Sequence, residues 1–368
     1  MRMGTEDPLA SSWRAPLAAY EREADTLFAA LAAGEEDAAW RFKWMHPEFR
    51  GKSVEDMRAA ALDAGDARLV VARAHAFEDW DALTEFTAAV RRDGPVARFE
   101  AAVDAVVDGD VAALGALLRE SPELARARST RRHHATLLHY VAANGVEDER
   151  QRTPPDAVEV ARLLLDAGAE VDALADLYEN RCTTLSMLVS SSHPARAGLQ
   201  IALAETLLDH GAALVGPGTS WQSALLTALI FGFPDTAEAL ARRGAPVETL
   251  PAAAGLGRLE DAERLLPGAG AAARHQALAL AVQLGRADVV QLLLDAGEDP
   301  DRLNPEGFHA HATPLHQSVW NDHLEVVRLL VERGARLDIR DQIYRGTPLD
   351  WAEYGGKTAI AEWLRERA

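Results

Sequence analysis

The stretch SSSHPARAGLQ at residues 190–200 sets Ser190, Ser191 and Ser192 beside His193. A hydroxyl next to an imidazole is the raw material of nucleophilic catalysis, in which a base activates a serine or cysteine. Neighbours in sequence need not meet in that geometry, and no G-x-S-x-G elbow presents a serine at a strand-to-helix turn. Cys182, the only cysteine, precedes Thr183 and reads as a small buried residue rather than a nucleophile. A second stretch crowds His309, His311, His316 and His323 together. Structural zinc usually takes four ligands of this kind, but no cysteine lies near them. Neither a G-x-x-x-x-G-K-[ST] phosphate loop nor a G-x-G-x-x-G fingerprint occurs, so no nucleotide cofactor is expected.

The elements that would position these residues are set by composition and period. The chain has 368 residues, room for two or three domains. It carries 38 basic and 57 acidic side chains, a formal charge of -19. Such a chain repels phosphate backbones and anionic lipid, so neither nucleic acid nor a membrane is an expected partner. The carboxylate excess reads as a solvated acidic surface. No run of apolar residues is long enough to cross a bilayer, and MRMGTEDPLASSW lacks the apolar core of a secretory signal. A single cysteine excludes internal disulfides and fits a reducing cytoplasm.

Residues 313–335, TPLHQSVWNDHLEVVRLLVERGA, form a unit of two short helices. Thr313-Pro314 opens the first, since proline is tolerated in a first turn. Leu324, Val327, Leu329 and Leu330 give the second an apolar side, and Gly334 ends it. The same grammar recurs in TLLHYVAANG at 136–145 with VEVARLLLDAGA at 158–169, in LQIALAETLLDHGA at 199–212 and in SALLTALIFGFPDTAEALARRGA at 223–245. It returns in ALAVQLGRADVVQLLLDAG at 279–297 and in the closing TPLDWAEYGGKTAIAEWLRER. Weaker copies fill 99–120 and 250–270.

This pattern resembles the ankyrin repeat, a helix-turn-helix unit of ~33 residues with the signature T-P-L-H-x-A. TPLH at 313–316 is the strongest match; TLLH at 136–139 and TPLD at 347–350 are near matches. The resemblance covers roughly residues 99–368. It implies an all-α fold: a solenoid of about eight repeats over 98–368, behind an N-terminal helical domain at 1–97. It also implies that His139, His316 and His323 are structural, which leaves only His309 and His311 unexplained and no metal site expected. Asp350 replaces the expected histidine and could cap, pair locally or point into the groove.

Residues 1–97 lack the repeat. Leu17, Tyr20, Leu27, Phe28 and Leu31 recur at helical spacing before Gly34, and Ser53 is placed to cap SVEDMRAAALDAG. Four or five helices are expected, with the aromatics Trp40, Phe42 and Trp44 in their core. The segment ARLVVARAHAFEDWDAL resembles one found ahead of the repeats in a group of bacterial ankyrin-repeat proteins, which implies an architecture and no activity.

Departures from the repeat carry the functional reading. VEDERQRTPPDA adds about eleven residues between the two helices of one repeat, and SHPARAGL adds about seven at the same place in the next. Insertions of this kind map to one face, often the binding face. The connecting fingers, among them 172–184, 215–222, 302–312 and 339–346, are rich in aromatic, His, Asn and Arg side chains. By the family mapping, the concave surface then includes His133, Asn144, Asn180, Arg181, Ser191, Trp221, Gln222, Phe231, Trp320, Asn321, Tyr344 and Tyr354. Each has two readings, a partner contact or packing between fingers. The first functional reading is a protein-interaction module binding a neutral to basic protein surface through that face. The alternative is an enzyme or small-molecule binder with a pocket near the 146–200 insertions, where His193 would be the acid or base, Arg181 an anion clamp, and Tyr178 a neighbour.

Overall fold

A computed structural model describes residues 13–215 and 223–367. Within them the apolar periods of the sequence are helices, and those helices lie in two units, Met1–Ser220 and Trp221–Ala368.

The first unit begins with α1 (Leu17–Ala32), α2 (Glu36–Met45), α3 (Val54–Arg58), α4 (Ala64–Ala74) and α5 (Trp80–Ala89). Tyr20, Ala24 and Leu27 recur every three or four residues on one face of α1 and are buried. They meet Phe42, Met57, Val70, Phe77, Leu83 and Phe86 in one core cluster. Ser53 caps α3 as its type requires: its hydroxyl accepts from the Asp56 amide at 3.1 Å, and the Asp56 carboxylate accepts from the Ser53 amide at 3.0 Å. The aromatic cluster departs from expectation. Only Phe42 is core; Trp40 is 39% and Trp44 66% exposed. One turn apart on α2, they stack at 6.4 Å, and the Lys43 ammonium lies over both rings.

Paired helices follow. They are α6 (Pro95–Asp108) with α7 (Val111–Glu120), α8 (Leu137–Val141) with α9 (Ala157–Asp166), and α10 (Thr184–Leu188) with α12 (Gln200–Asp209). In one layer α8 packs between α6 and α10; in a second α9 packs between α7 and α12. Each pair buries its apolar side only against a neighbour, the logic of a repeat stack. The finger ahead of α10 is a hairpin, β1 (Ala175–Leu177) against β2 (Asn180–Cys182), antiparallel with Leu177 opposite Asn180. Tyr178 and Glu179 form its turn at φ 51° and 61°. The second insertion supplies a further short helix, α11 (Ser192–Arg196).

The second unit holds α13 (Ala224–Ile230), α14 (Pro234–Arg242), α15 (Leu250–Leu256), α16 (Leu259–Leu265), α17 (Ala271–Gln283) and α18 (Ala287–Asp295). It continues with α19 (Pro314–Trp320), α20 (Leu324–Glu332), α21 (Pro348–Tyr354) and α22 (Thr358–Arg365). The odd-numbered helices stack on one another from α13 to α21, and the even-numbered ones from α16 to α22. The second helices bury residues at i, i+1 and i+4: Val289, Val290 and Leu293; Val326, Val327 and Leu330; Ile360, Ala361 and Leu364. Thus Val326, which the sequence pattern passed over, is core, while Leu324 and Leu329 are half-buried. Gly334 ends α20 at φ 93°, its amide donating to Val331 O at 3.0 Å and the Ala335 amide to Leu330 O at 2.9 Å. Among the described residues no helix is long and apolar enough to cross a membrane.

Candidate partner-binding site

The TPLH histidine is where the second unit's site begins. In α19 the His316 Nδ1 accepts from the Thr313 amide and hydroxyl, at 3.4 and 2.8 Å. Its Nε2 donates to Gly346 O at 3.1 Å, in the finger of the next repeat. Burial holds the His316 imidazole below its usual pKa, consistent with a neutral ring that both accepts and donates.

That next finger, IRDQIYRG, folds around one carboxylate. Asp341 is fully buried. Its Oδ1 accepts from the amides of Ile343 and Tyr344 at 2.9 and 2.7 Å. Its Oδ2 accepts from the Gly346 amide at 2.9 Å and from the Trp351 indole at 3.0 Å. Burial pushes this carboxyl up, but the four donors outweigh it and hold the pKa at about 2. One charge thereby fixes both the finger backbone and the ring of Trp351.

Around Trp351 the other rings stand nearly edge-on. Trp320 lies 5.9 Å away at 77°, Tyr344 6.3 Å away at 69°, and His316 5.2 Å away at 69°. His311 packs against Trp351 and Tyr344, each at 5.8 Å. These are favourable aromatic geometries. Trp351, Trp320, Tyr344 and His311, together with His309, Gln317, Asp350 and Tyr354, line a groove of about 690 Å³. Trp320 is 46% exposed, Tyr344 73% and Tyr354 88%. Asp350 caps α21, its carboxylate accepting from the Thr347 amide and hydroxyl at 2.8 and 2.9 Å, and its other neighbour is the Arg340 guanidinium at 3.5 Å. Both local roles considered for it are therefore filled while it still lines the groove.

The first unit has its own groove, about 880 Å³, lined by Tyr178, Asn180, Arg181 and His133 with Arg50, Arg73, Arg132 and others. Arg50 pairs with Glu179, and Arg73 with Glu78. The Tyr178 hydroxyl donates to Asn144 Oδ1 at 2.7 Å, and Asn144 Nδ2 donates to Ser190 Oγ at 2.9 Å. His193 is exposed on α11 and is not among the residues lining this groove.

Beneath it lies a buried ionic cluster that the sequence did not reveal. Glu100 of α6, Arg131, and Glu147 and Arg150 of the first insertion have side chains at most 5% exposed. Arg150 bonds Glu100 at 2.5 Å and Asp104 at 3.0 Å, and Arg131 pairs with Glu147. Tyr140 donates to Glu147 at 3.2 Å. Burial pushes the Glu147 carboxyl up, but Arg131, His133 and Arg150 outweigh it and hold it well below the carboxylate range. The first insertion thus turns two of its charges inward to anchor itself. Only Glu147 and Arg150, three apart in an acidic loop, could have hinted at this.

The remaining expected site residues divide by burial. His133 is 3% exposed and bonds Glu147 at 3.3 Å, while Ser191 is 2% exposed and donates to Ala143 O at 3.1 Å. Both side chains are thus bonded within the fold, and His133 also borders the first unit's groove. Asn144 and Asn321 are half-buried, Asn321 donating to Gln283 O at 3.1 Å. Arg181, Phe231, Trp320, Tyr344 and Tyr354 are exposed. Trp221 and Gln222 lie outside the described residues. Sequence reasoning missed Gln317 and Trp351; the signal for Trp351 was its place beside the non-consensus Asp350. His309 and His311 pack edge-on at 6.2 Å.

Comparison with known proteins matches residues 250–341, from α15 to the start of the finger beyond α20, to a family model of ankyrin repeats in 3 copies. An ankyrin repeat-containing protein of Schizosaccharomyces pombe is 38% identical over 63 residues, 17% of this chain and 28% of that one. Cyclin-dependent kinase 4 inhibitor B of Bos taurus is 34% identical over 87 residues, 24% of this chain and 63% of that one. Cyclin-dependent kinase inhibitor 2A of Homo sapiens is also 34% identical over 87 residues, covering 53% of its length. The chain thus spans less than two thirds of each of these relatives. Matched repeats over 250–341 and helix pairs stacked within each unit together give an all-α fold with ankyrin repeats.

Proposed function

We propose that the protein is an interaction module that docks a protein partner in the aromatic groove of residues 309–354. The observation that carries this reading is the exposure of Trp320, Tyr344 and Tyr354 around a Trp351 ring already fixed by Asp341. Large aromatic side chains dominate binding energy at interfaces, and a prearranged set loses little freedom on docking. Two of the relatives are named as inhibitors of cyclin-dependent kinases, and such an inhibitor acts on another protein. A formal charge of -19 favours a neutral to basic partner surface. The residue limits 1–97 and 98–368 belong to the same proposal. They are supported by the core cluster, whose buried residues end at Phe86; α6, which opens at Pro95, runs across the proposed limit. A reducing cytoplasm as the compartment is likewise proposed, from the lone buried thiol of Cys182.

The test compares partner recovery by wild type and by a Trp320→Ala, Tyr354→Ala variant, with the recovered protein identified, purified and re-titrated against both. Loss of at least about tenfold in affinity, at unchanged thermal stability, is expected for two anchors of this kind. Equal affinity would reject the groove as the docking site.

A further inference from the structure

The groove of the second unit is lined mainly by aromatic rings. Trp320, Trp351, Tyr344 and Tyr354 supply π density, Asp350 supplies a carboxylate, and His309, His311 and Gln317 complete the walls. Among the described residues no lysine or arginine lines it. Burial and the neighbouring His311 hold the His309 imidazole below its usual pKa.

We propose that this groove receives a basic side chain, a lysine or arginine of the docked partner, over the aromatic faces with Asp350 as its counter-charge. The proposal rests on the docking reading above and adds the chemistry of the occupant. Aromatic faces carry a negative quadrupole and attract cations placed within about 6 Å of the ring centre. The protein already uses that arrangement internally, with the Lys43 ammonium 4.7 and 5.0 Å from the Trp40 and Trp44 rings. An apolar occupant would strip water from Asp350, whose carboxylate is otherwise held only by the Thr347 cap and a 3.5 Å contact to Arg340, and burying an incompletely paired charge is costly. A basic side chain satisfies carboxylate and rings together, and the -19 charge favours its approach. The internal competitor is Arg340, whose guanidinium sits 3.5 Å from Asp350 but also donates to Arg345 O at 2.6 Å.

The full chain is titrated with N-acetyl-lysine methylamide and with N-acetyl-norleucine methylamide, which has the same stem and no charge. The readout is the indole N–H resonance of Trp320, assigned with Trp320→Phe. The lysine compound is expected to bind roughly threefold to tenfold tighter, as an exposed cation–π contact with a counter-ion allows. Asp350→Asn keeps an oxygen for the helix cap, so the fold survives while the preference falls toward equality. Arg340→Ala should raise the preference. Equal binding of the two compounds, or a preference untouched by Asp350→Asn, overturns the proposal and leaves the docking test standing. A lysine preference with partner affinity insensitive to Trp320→Ala, Tyr354→Ala would instead sink the docking reading.

Discussion

Replacing Asp341 by asparagine should loosen both the 339–346 finger and the groove that depends on it. The native carboxylate accepts four hydrogen bonds, two on each oxygen. An asparagine can keep Oδ1 toward Ile343 and Tyr344, but its amide nitrogen then faces two donors, the Gly346 amide and the Trp351 indole. Two bonds to a charged acceptor are lost at a fully buried site, at about 1.5–3 kcal/mol each. The expected cost is therefore about 3–6 kcal/mol. A second estimate comes from linkage. The folded pKa of about 2 against an ordinary 3.8 corresponds to about 2 kcal/mol of stability. Because the folded value is depressed, that stability is present above about pH 4 and is lost as pH falls toward 2. Urea denaturation followed by tryptophan fluorescence gives the first number, and exchange of the Trp351 indole proton reports the groove. A variant within about 0.5 kcal/mol of wild type, with that proton still protected, would refute the claim that one carboxylate organises the site.

Three further outcomes follow from the geometry. Glu147→Gln removes the nearer of the two carboxylates facing Arg131, leaves two buried guanidiniums sharing Glu100, and should cost about 3–5 kcal/mol by denaturation, whereas a loss below about 1 would mean the cluster is solvated. His139, buried and bonded to Cys182 O at 3.2 Å, has its pKa lowered by burial from 6.5 to about 4. The unfolded chain therefore binds a proton that the folded one refuses, so stability is full above pH 6.5 and falls by about 1.4 kcal/mol per unit down to 4. A His139→Gln variant should lose that part of the slope, and identical slopes would contradict it. Gly255→Ala places a Cβ 2.8 Å from Leu229 Cδ1, so the α13–α15 packing must give, at about 1–3 kcal/mol; an unchanged melting temperature would show that it yields freely.

The repeat was legible because its signals are local. Thr at a cap, Pro in a first turn, apolar residues at helical spacing and Gly at a left-handed end each act within a few residues. What was not legible depends on where a side chain points after stacking. Trp40 and Trp44 look like core by type, yet their turn of α2 faces outward. VEDERQRTPPDA looks like a solvated loop by charge, yet Glu147 and Arg150 turn inward because Glu100 and Arg131, distant in sequence, neutralise them. The Tyr178–Glu179 turn went unread because its left-handed backbone normally selects Asn or Gly. Trp320, Tyr344 and Tyr354, singled out by residue type and by their place in the repeat, line the groove. Trp351 and Asp341 were not singled out, since their importance is their hydrogen bond to each other across a finger and a helix.

The most direct test of the account puts a photo-crosslinking phenylalanine analogue at position 354, the tip of the groove, and at position 263, an exposed site on α16 away from its lining. Irradiation with the purified partner should crosslink strongly from 354, to a partner segment containing lysine or arginine, and weakly from 263. Equal crosslinking from both positions, or strong crosslinking from 263 alone, would contradict the claim that the aromatic groove is where this protein holds its partner.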